Sequence, residues 1–89
     1  MPTERVQRQI DRLLDEAEGH YRTGLEWAER ERCPIEHGRC LQGLAEVAER
    51  RGQHRDAMPF LDRAGALFQQ HGAVLYLKQV LAKKELLGA

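Results

Sequence analysis

The sequence predicts an all-α fold of three or four helices, and three observations support this prediction. Apolar residues recur at intervals of three and four along most of the 89 residues. Glycine and proline interrupt the pattern at a few points, as they do between helices. Charged residues make up 31% of the chain and aromatic residues 6%, which suits helices with a solvated surface. A chain of this length has room for one small domain with a modest core.

Residues 3–32 are predicted to form either one long helix or a helical hairpin. Thr3 suits the N-cap, and Glu4 is favourable beside the helix N-terminus. One apolar stripe keeps its phase for about six turns, which favours a single helix. Gly19 and Gly24 lie within this segment and favour a turn, since each costs about 1 kcal/mol relative to Ala inside a helix. The stripe consists of Val6, Ile10, Leu13, Leu14, Ala17, Tyr21, Leu25 and Ala28.

This first segment looks like a degenerate copy of the middle of the chain. Residues 19–30 (GHYRTGLEWAER) align with residues 52–63 (GQHRDAMPFLDR) at an offset of 33, and residues 10–18 align with residues 41–49 at an offset of 31. Two residues are therefore missing where a turn would fall. Such a deletion could fuse two helices into one, so the single helix is preferred while the hairpin stays open.

The clearest helical hairpin is predicted for residues 34–71. Pro34 is suited to the first helical position, and Gly52 ends the first helix in the manner of a C-cap. His71 and Gly72 end the second helix. Small residues on both helices allow a close antiparallel approach. The two apolar stripes consist of Leu41, Leu44, Ala45 and Ala48, and of Ala57, Leu61, Ala64, Leu67 and Phe68.

Part of this pattern resembles the tetratricopeptide repeat, a 34-residue helix-turn-helix unit. The resemblance covers one unit, about residues 38–71, with degenerate flanking copies. Leu41 stands where the family has Trp, Ala48 where an aromatic residue is usual, and Gln69 where Pro is common. An ordinary antiparallel hairpin is the alternative. The residues that keep the family's register are Leu41, Leu44, Ala45, Ala48, Gly52, Ala57, Leu61 and Ala64.

The resemblance implies a non-enzymatic module that binds proteins, such as a scaffold. In the family, the first helices of the units line a concave surface that binds a peptide or a partner helix. Some members clamp a C-terminal carboxylate there with Lys and Asn, whereas Gln42 and Glu46 occupy those places here, so a carboxylate is not the expected ligand. The corresponding partner-binding residues are Arg39, Gln42, Glu46, Glu49 and Arg50.

Residues 73–87 are predicted to form a last helix that caps the unit. Its apolar surface is wide for a terminal helix, and exposed apolar surface of this kind usually marks an interface. We therefore expect a homo-oligomer, with Tyr76, Val80 and Leu87 as the self-association residues. Two alternatives stay open: the segments cover each other within one chain, or the chain caps a larger repeat array in a regulator.

No catalytic motif is apparent, and no cofactor is expected. Cys33, His37 and Cys40 are a weak candidate for a metal-binding or redox-responsive site, because their spacings of four and seven place soft ligands near one another on a helix. That spacing matches no common zinc module. We therefore expect Cys33 to be a cap residue, His37 a surface histidine and Cys40 a small buried thiol.

The charge balance and the cysteine content restrict the class of partner. Lys and Arg number 14, and Asp and Glu also number 14, so the chain has no general attraction for nucleic acid or an anionic membrane. No apolar run approaches the length of a membrane span, and the N-terminal residues do not form a signal peptide. Two cysteines without a secretion signal indicate a reducing, cytoplasmic environment.

Overall fold

A computed structural model describes residues 2–88, and this part of the chain contains four α-helices and no strand. The all-α prediction is confirmed. None of these helices is both long enough and apolar enough to cross a membrane. In chain order the helices are α1 (Pro2–Arg30), α2 (Pro34–Arg50), α3 (His54–Gln70) and α4 (Val74–Gly88).

The three connections between helices share one geometry. Each contains a residue with positive φ: Arg32 (55°), Gly52 (76°) and Gly72 (69°). The next residue in each connection donates its backbone N–H to a carbonyl five residues earlier, and each of these hydrogen bonds is 2.8 Å long. This is the Schellman arrangement, in which a left-handed residue lets the last helical carbonyls find donors.

The positive-φ residues are 20 positions apart, so one helix with its turn repeats every 20 residues. Two such units span about 40 residues, whereas the tetratricopeptide unit spans 34. The helices here are 17 residues long in both α2 and α3. Membership of that family stays a prediction, and the longer unit is a departure from the family's pattern.

The core lies mainly between α2 and α3, with α1 packed on one side of α2 and α4 packed on α3. Close approach requires small residues at the contacts. A side chain at Gly38 would collide with the Phe68 ring, and one at Gly43 would collide with Tyr21. The buried core cluster consists of Leu41, Ala45, Ala48, Ala57, Leu61, Ala64, Phe68 and Val80.

Residues 2–30 form one continuous helix rather than a hairpin. With 29 residues, α1 is 12 residues longer than α2, and residues 2–13 are all exposed. At 1.5 Å per residue, the extra length amounts to about 18 Å of helix. Only the C-terminal half of α1 contributes to the core, where Ala28 is buried and Leu25 packs against the cluster. The N-terminal half therefore projects beyond the rest of the domain.

Candidate interaction surfaces

A groove of about 580 Å³ lies between α2 and α4, with Tyr21 of α1 at its edge. The side chains of α2 and α4 meet across it. The Arg39 guanidinium lies 5.4 Å from the centroid of the Tyr76 ring, a cation–π contact. The Gln42 amide donates a hydrogen bond of 3.3 Å to the Gln79 amide oxygen. The groove thus combines an aromatic surface with amide groups and one guanidinium.

Lys83 of α4 neutralises two carboxylates of α2 at the far end of this groove. Its Nζ lies 2.9 Å from Glu49 and 3.5 Å from Glu46, and the contact with Glu49 raises the pKa of Lys83. Burial acts to raise the pKa of Glu46, but the hydrogen bond from Arg50 and the charge of Lys83 outweigh it and hold that pKa low. Both carboxylates are therefore paired with Lys83 within the chain.

The structure brings three of the five predicted partner-binding residues together in the groove lining: Arg39, Gln42 and Glu46. The other two do not line it. Glu49 forms an ion pair with Lys83, and Arg50 forms one with Glu46. Both side chains are thus engaged within the chain, and the partner-binding role of all five stays a prediction.

The structure corrects one of the three predicted self-association residues of α4, Val80, whereas Tyr76 and Leu87 are half-buried and their role in self-association stays a prediction. Val80 is only 1% exposed and belongs to the core. The Tyr76 ring stacks on Phe68 with centroids 5.2 Å apart, and Leu87 packs half-buried against the core cluster. The reason is that α4 turns this face toward α3, so a second copy cannot reach Val80.

The outward face of α4 carries different apolar residues. Their exposed fractions range from 53% to 75%, which is high for large apolar side chains. Lys78 and Glu85 lie on the same side of the helix, because they follow Val74 and Leu81 by four positions. The exposed residues of this α4 outer face are Val74, Leu75, Leu81 and Leu86.

A second open apolar surface runs along α1. Four large side chains on it, Val6, Ile10, Leu13 and Trp27, are between 43% and 63% exposed. Positions that alternate by four and three residues lie on one side of a helix and form a continuous stripe. We call this stripe the α1 seam; it consists of Val6, Ile10, Leu13, Ala17, His20, Gly24 and Trp27.

Arg51 fixes the middle of α1 to the end of α2. Its guanidinium lies 2.6 Å from Asp15 and 2.7 Å from Glu18, and Arg22 lies 2.9 Å from Glu18. Hydrogen bonds from Arg51 and Arg22 lower the pKa of Glu18. Sequence reasoning missed this contact, because the partners are more than thirty residues apart and no local pattern connects them.

The structure does not gather Cys33, His37 and Cys40 into a metal-binding group, and a redox-responsive role stays a prediction. Within residues 2–88, no group of three or more His, Cys, Asp or Glu side chains is arranged to bind a metal ion. Cys33 precedes α2 and points its thiol at the Glu31 carbonyl, 3.7 Å away. Cys40 lies against Gly24 of α1, and burial raises the pKa of its thiol, which disfavours a reactive thiolate. His37 lies 3.6 Å from Glu29.

Comparison of the chain with protein-family models, with curated proteins and with solved structures found no match.

Proposed function

We propose that this chain is a non-enzymatic protein-interaction and assembly module that associates with a second copy of itself through exposed apolar helix faces. The observation that carries the proposal is the open apolar surface. Within residues 2–88, nine large apolar side chains are at least 36% exposed, and eight of them lie on the α1 seam and the α4 outer face. Contiguous exposed apolar side chains of this kind are typical of interfaces.

The total surface supports the same conclusion. A monomeric protein of 10.2 kDa has an accessible surface of about 5,300 Å² by the usual scaling with mass. This chain has 6439 Å², an excess of about 1,100 Å². A standard interface covers about 800 Å² on each partner. The excess is therefore large enough to supply one such interface.

The shape of the chain agrees with its surface. The radius of gyration is 14.1 Å, whereas a compact domain of this length has about 12 Å. The projecting half of α1 accounts for an elongated shape of 48 × 33 × 19 Å. A single chain thus leaves much of its longest helix without protein contacts.

The test is the absolute mass in solution, measured by size-exclusion chromatography with light scattering at several concentrations. We expect a species of twice 10.2 kDa, or a larger closed oligomer, whose share rises with concentration. A monomer at every concentration would contradict self-association. That result would favour the alternative in which the α4 outer face covers the end of a larger repeat array.

The groove between α2 and α4 supports a second candidate function, the binding of a peptide from another protein. Its lining offers the Tyr21 and Tyr76 rings together with the Arg39 guanidinium, groups that recur at binding surfaces. The test is selection from a displayed random peptide library, followed by titration of selected peptides. Gln79→Ala alters the groove and should weaken peptide binding. Gln69→Ala, on the exposed surface of α3, is the control and should not. Equal peptide affinities of the two variants would contradict this candidate function.

A further inference from the structure

The same residue pattern is buried in α2 and exposed in α1. In α2, Leu41 is 0% exposed and Leu44 is 2% exposed. Their counterparts at an offset of 31 are Ile10 and Leu13, which are 43% and 63% exposed. The difference has a simple cause: α3 folds back and covers α2, whereas the counterpart of α3, residues 19–30, continues α1 in a straight line.

We infer that a second copy of this chain supplies the missing cover, and that the N-terminal half of each α1 packs antiparallel against the C-terminal half of the other α1. This inference rests on the proposed function and identifies the α1 seam as the surface through which two copies associate. It would reproduce the α2–α3 hairpin between two chains instead of within one. Both projecting halves would be covered at once, so the assembly closes as a two-fold symmetric dimer.

Small residues lie where two such helices must cross. In the α2–α3 hairpin, Ala48 and Ala57 flank the turn and are 5% and 0% exposed. Their counterparts in α1 are Ala17 and Gly24. An antiparallel pair centred near His20 places Ala17 of one copy opposite Gly24 of the other. Cys40 of the same chain lies against Gly24 on the side of α2, so the second helix approaches from the side of His20 and Trp27, where short side chains permit close approach.

The large residues complement each other in the same arrangement. Trp27 corresponds to Phe60, which packs half-buried against the core in its own hairpin. With the two-fold axis near His20, Trp27 of one copy faces Leu13 of the other. Two exposed apolar side chains, 45% and 63% exposed in the single chain, would then cover each other.

The α1 seam fits a second copy better than the α4 outer face does. From Val6 to Trp27 the seam contains no Asp, Glu, Lys or Arg. The α4 outer face is interrupted by Lys78 and Glu85, and burying an unpaired charge at an interface is costly. The excess surface of about 1,100 Å² exceeds the roughly 800 Å² per partner of a standard interface.

Disulfide cross-linking tests both the surface and the direction of pairing. The full-length chain would carry Cys33→Ser and Cys40→Ala, and folding would be checked by circular dichroism. His20→Cys places a thiol near the two-fold axis, so mild oxidation with oxidised glutathione should produce a covalent dimer. Gln9→Cys is the matched control: in the antiparallel pair its two copies are separated by about 35 Å along the helices, and no cross-link should form.

Every other outcome contradicts part of this proposal. Cross-links at both positions would indicate parallel helices and contradict the antiparallel pairing. A dimer by mass with no cross-link at either position would move the interface away from α1, which ends this inference but leaves the proposed function intact. A monomer by mass would contradict both.

A second pair of variants keeps the test independent of cross-linking. Leu13→Asp places a charge on the α1 seam at a site that is exposed in the single chain, so it should leave the fold intact. We expect it to raise the dissociation constant of the dimer about tenfold or more. Leu86→Asp makes the same change on the α4 outer face, at a site that is 73% exposed against 63% for Leu13, and should leave that constant unchanged. The reverse result would assign the interface to α4.

Discussion

At the scale of single residues, Arg32 stands in a conformation that glycine occupies in the other two turns. Its φ of 55° lies in the left-handed region, as do those of Gly52 and Gly72. A side chain with a Cβ costs about 1–2 kcal/mol in that region. The repeated turn geometry therefore imposes strain on the first connection alone.

Arg32→Gly should relieve this strain and raise the free energy of unfolding by about 1 kcal/mol. The gain is limited because glycine also increases the entropy of the unfolded chain. Urea denaturation measures the change. Arg32→Ala is the control, since it removes the charge but keeps the Cβ, and it should give no comparable gain. Equal effects of the two substitutions would show that the backbone conformation is not the cause.

Arg51 should make the stability of the chain depend on acid. Its hydrogen bond lowers the pKa of Glu18 below the ordinary 4.5. A carboxyl group with a lowered pKa stabilises the fold above its ordinary pKa, and this contribution is lost as the pH falls through the lowered value. Arg51→Gln should therefore unfold at a lower temperature than the native chain near neutral pH. The difference should shrink below pH 4.5.

Thermal melts of both proteins from neutral to acidic pH would measure this difference. Arg55→Gln is a suitable control, because Arg55 is exposed at the start of α3 and lies outside this ion-pair cluster. A difference between the native chain and Arg51→Gln that stays constant down to strongly acidic pH would contradict a role for the Glu18 carboxylate.

At the scale of elements, α4 is held by one of its faces only. Val80 is 1% exposed, whereas Val74 on the same helix is 57% exposed. Val80→Ala should lower the free energy of unfolding by about 2 kcal/mol, because it removes a buried side chain and leaves a cavity. Val74→Ala, the matched control, should change it by less than about 0.5 kcal/mol. Similar losses from both changes, measured by urea denaturation, would show that α4 does not dock as described.

The sequence indicated where the helices begin and end better than it indicated which side of each helix packs against the core. Pro34, Gly52 and Gly72 predicted the boundaries of α2, α3 and α4 from local chemistry. Arg32 gave no such signal, since only the turn geometry shows that it replaces a glycine. The path of α1 depended on a balance between its continuous stripe and its glycines, and in the structure the stripe continues in one helix.

The face of α4 could not be deduced in the same way. Apolar residues surround most of this helix, so the sequence contains no single stripe to assign to the core. Tyr76 and Val80 were expected on an open surface, but Val80 is buried in the core, and Tyr76 is half-buried where it stacks on Phe68 beside the groove. Arg39, Gln42 and Glu46 do line one groove, as residues on a shared helical face should, and their role in binding a partner stays a prediction.

At the scale of the whole molecule, the longest helix of this small domain packs against the core with its C-terminal half only. The C-terminal half of α1 packs against the core, and the N-terminal half exposes the same kind of residues that α2 buries. A second chain is the simplest source of a matching surface, because it carries the same unpaired half-helices. The central claim is therefore that the α1 seam closes on another copy of this chain.

Trp27 reports on this claim directly, because it is the single tryptophan of the chain and lies on the α1 seam. Its fluorescence and its quenching by acrylamide should be followed across the concentrations over which the mass doubles. We expect a shift to shorter wavelength and weaker quenching as the dimer forms, since Trp27 is 45% exposed in the single chain and would become covered. A dimer in which the emission and quenching of Trp27 match those of the monomer would contradict this claim.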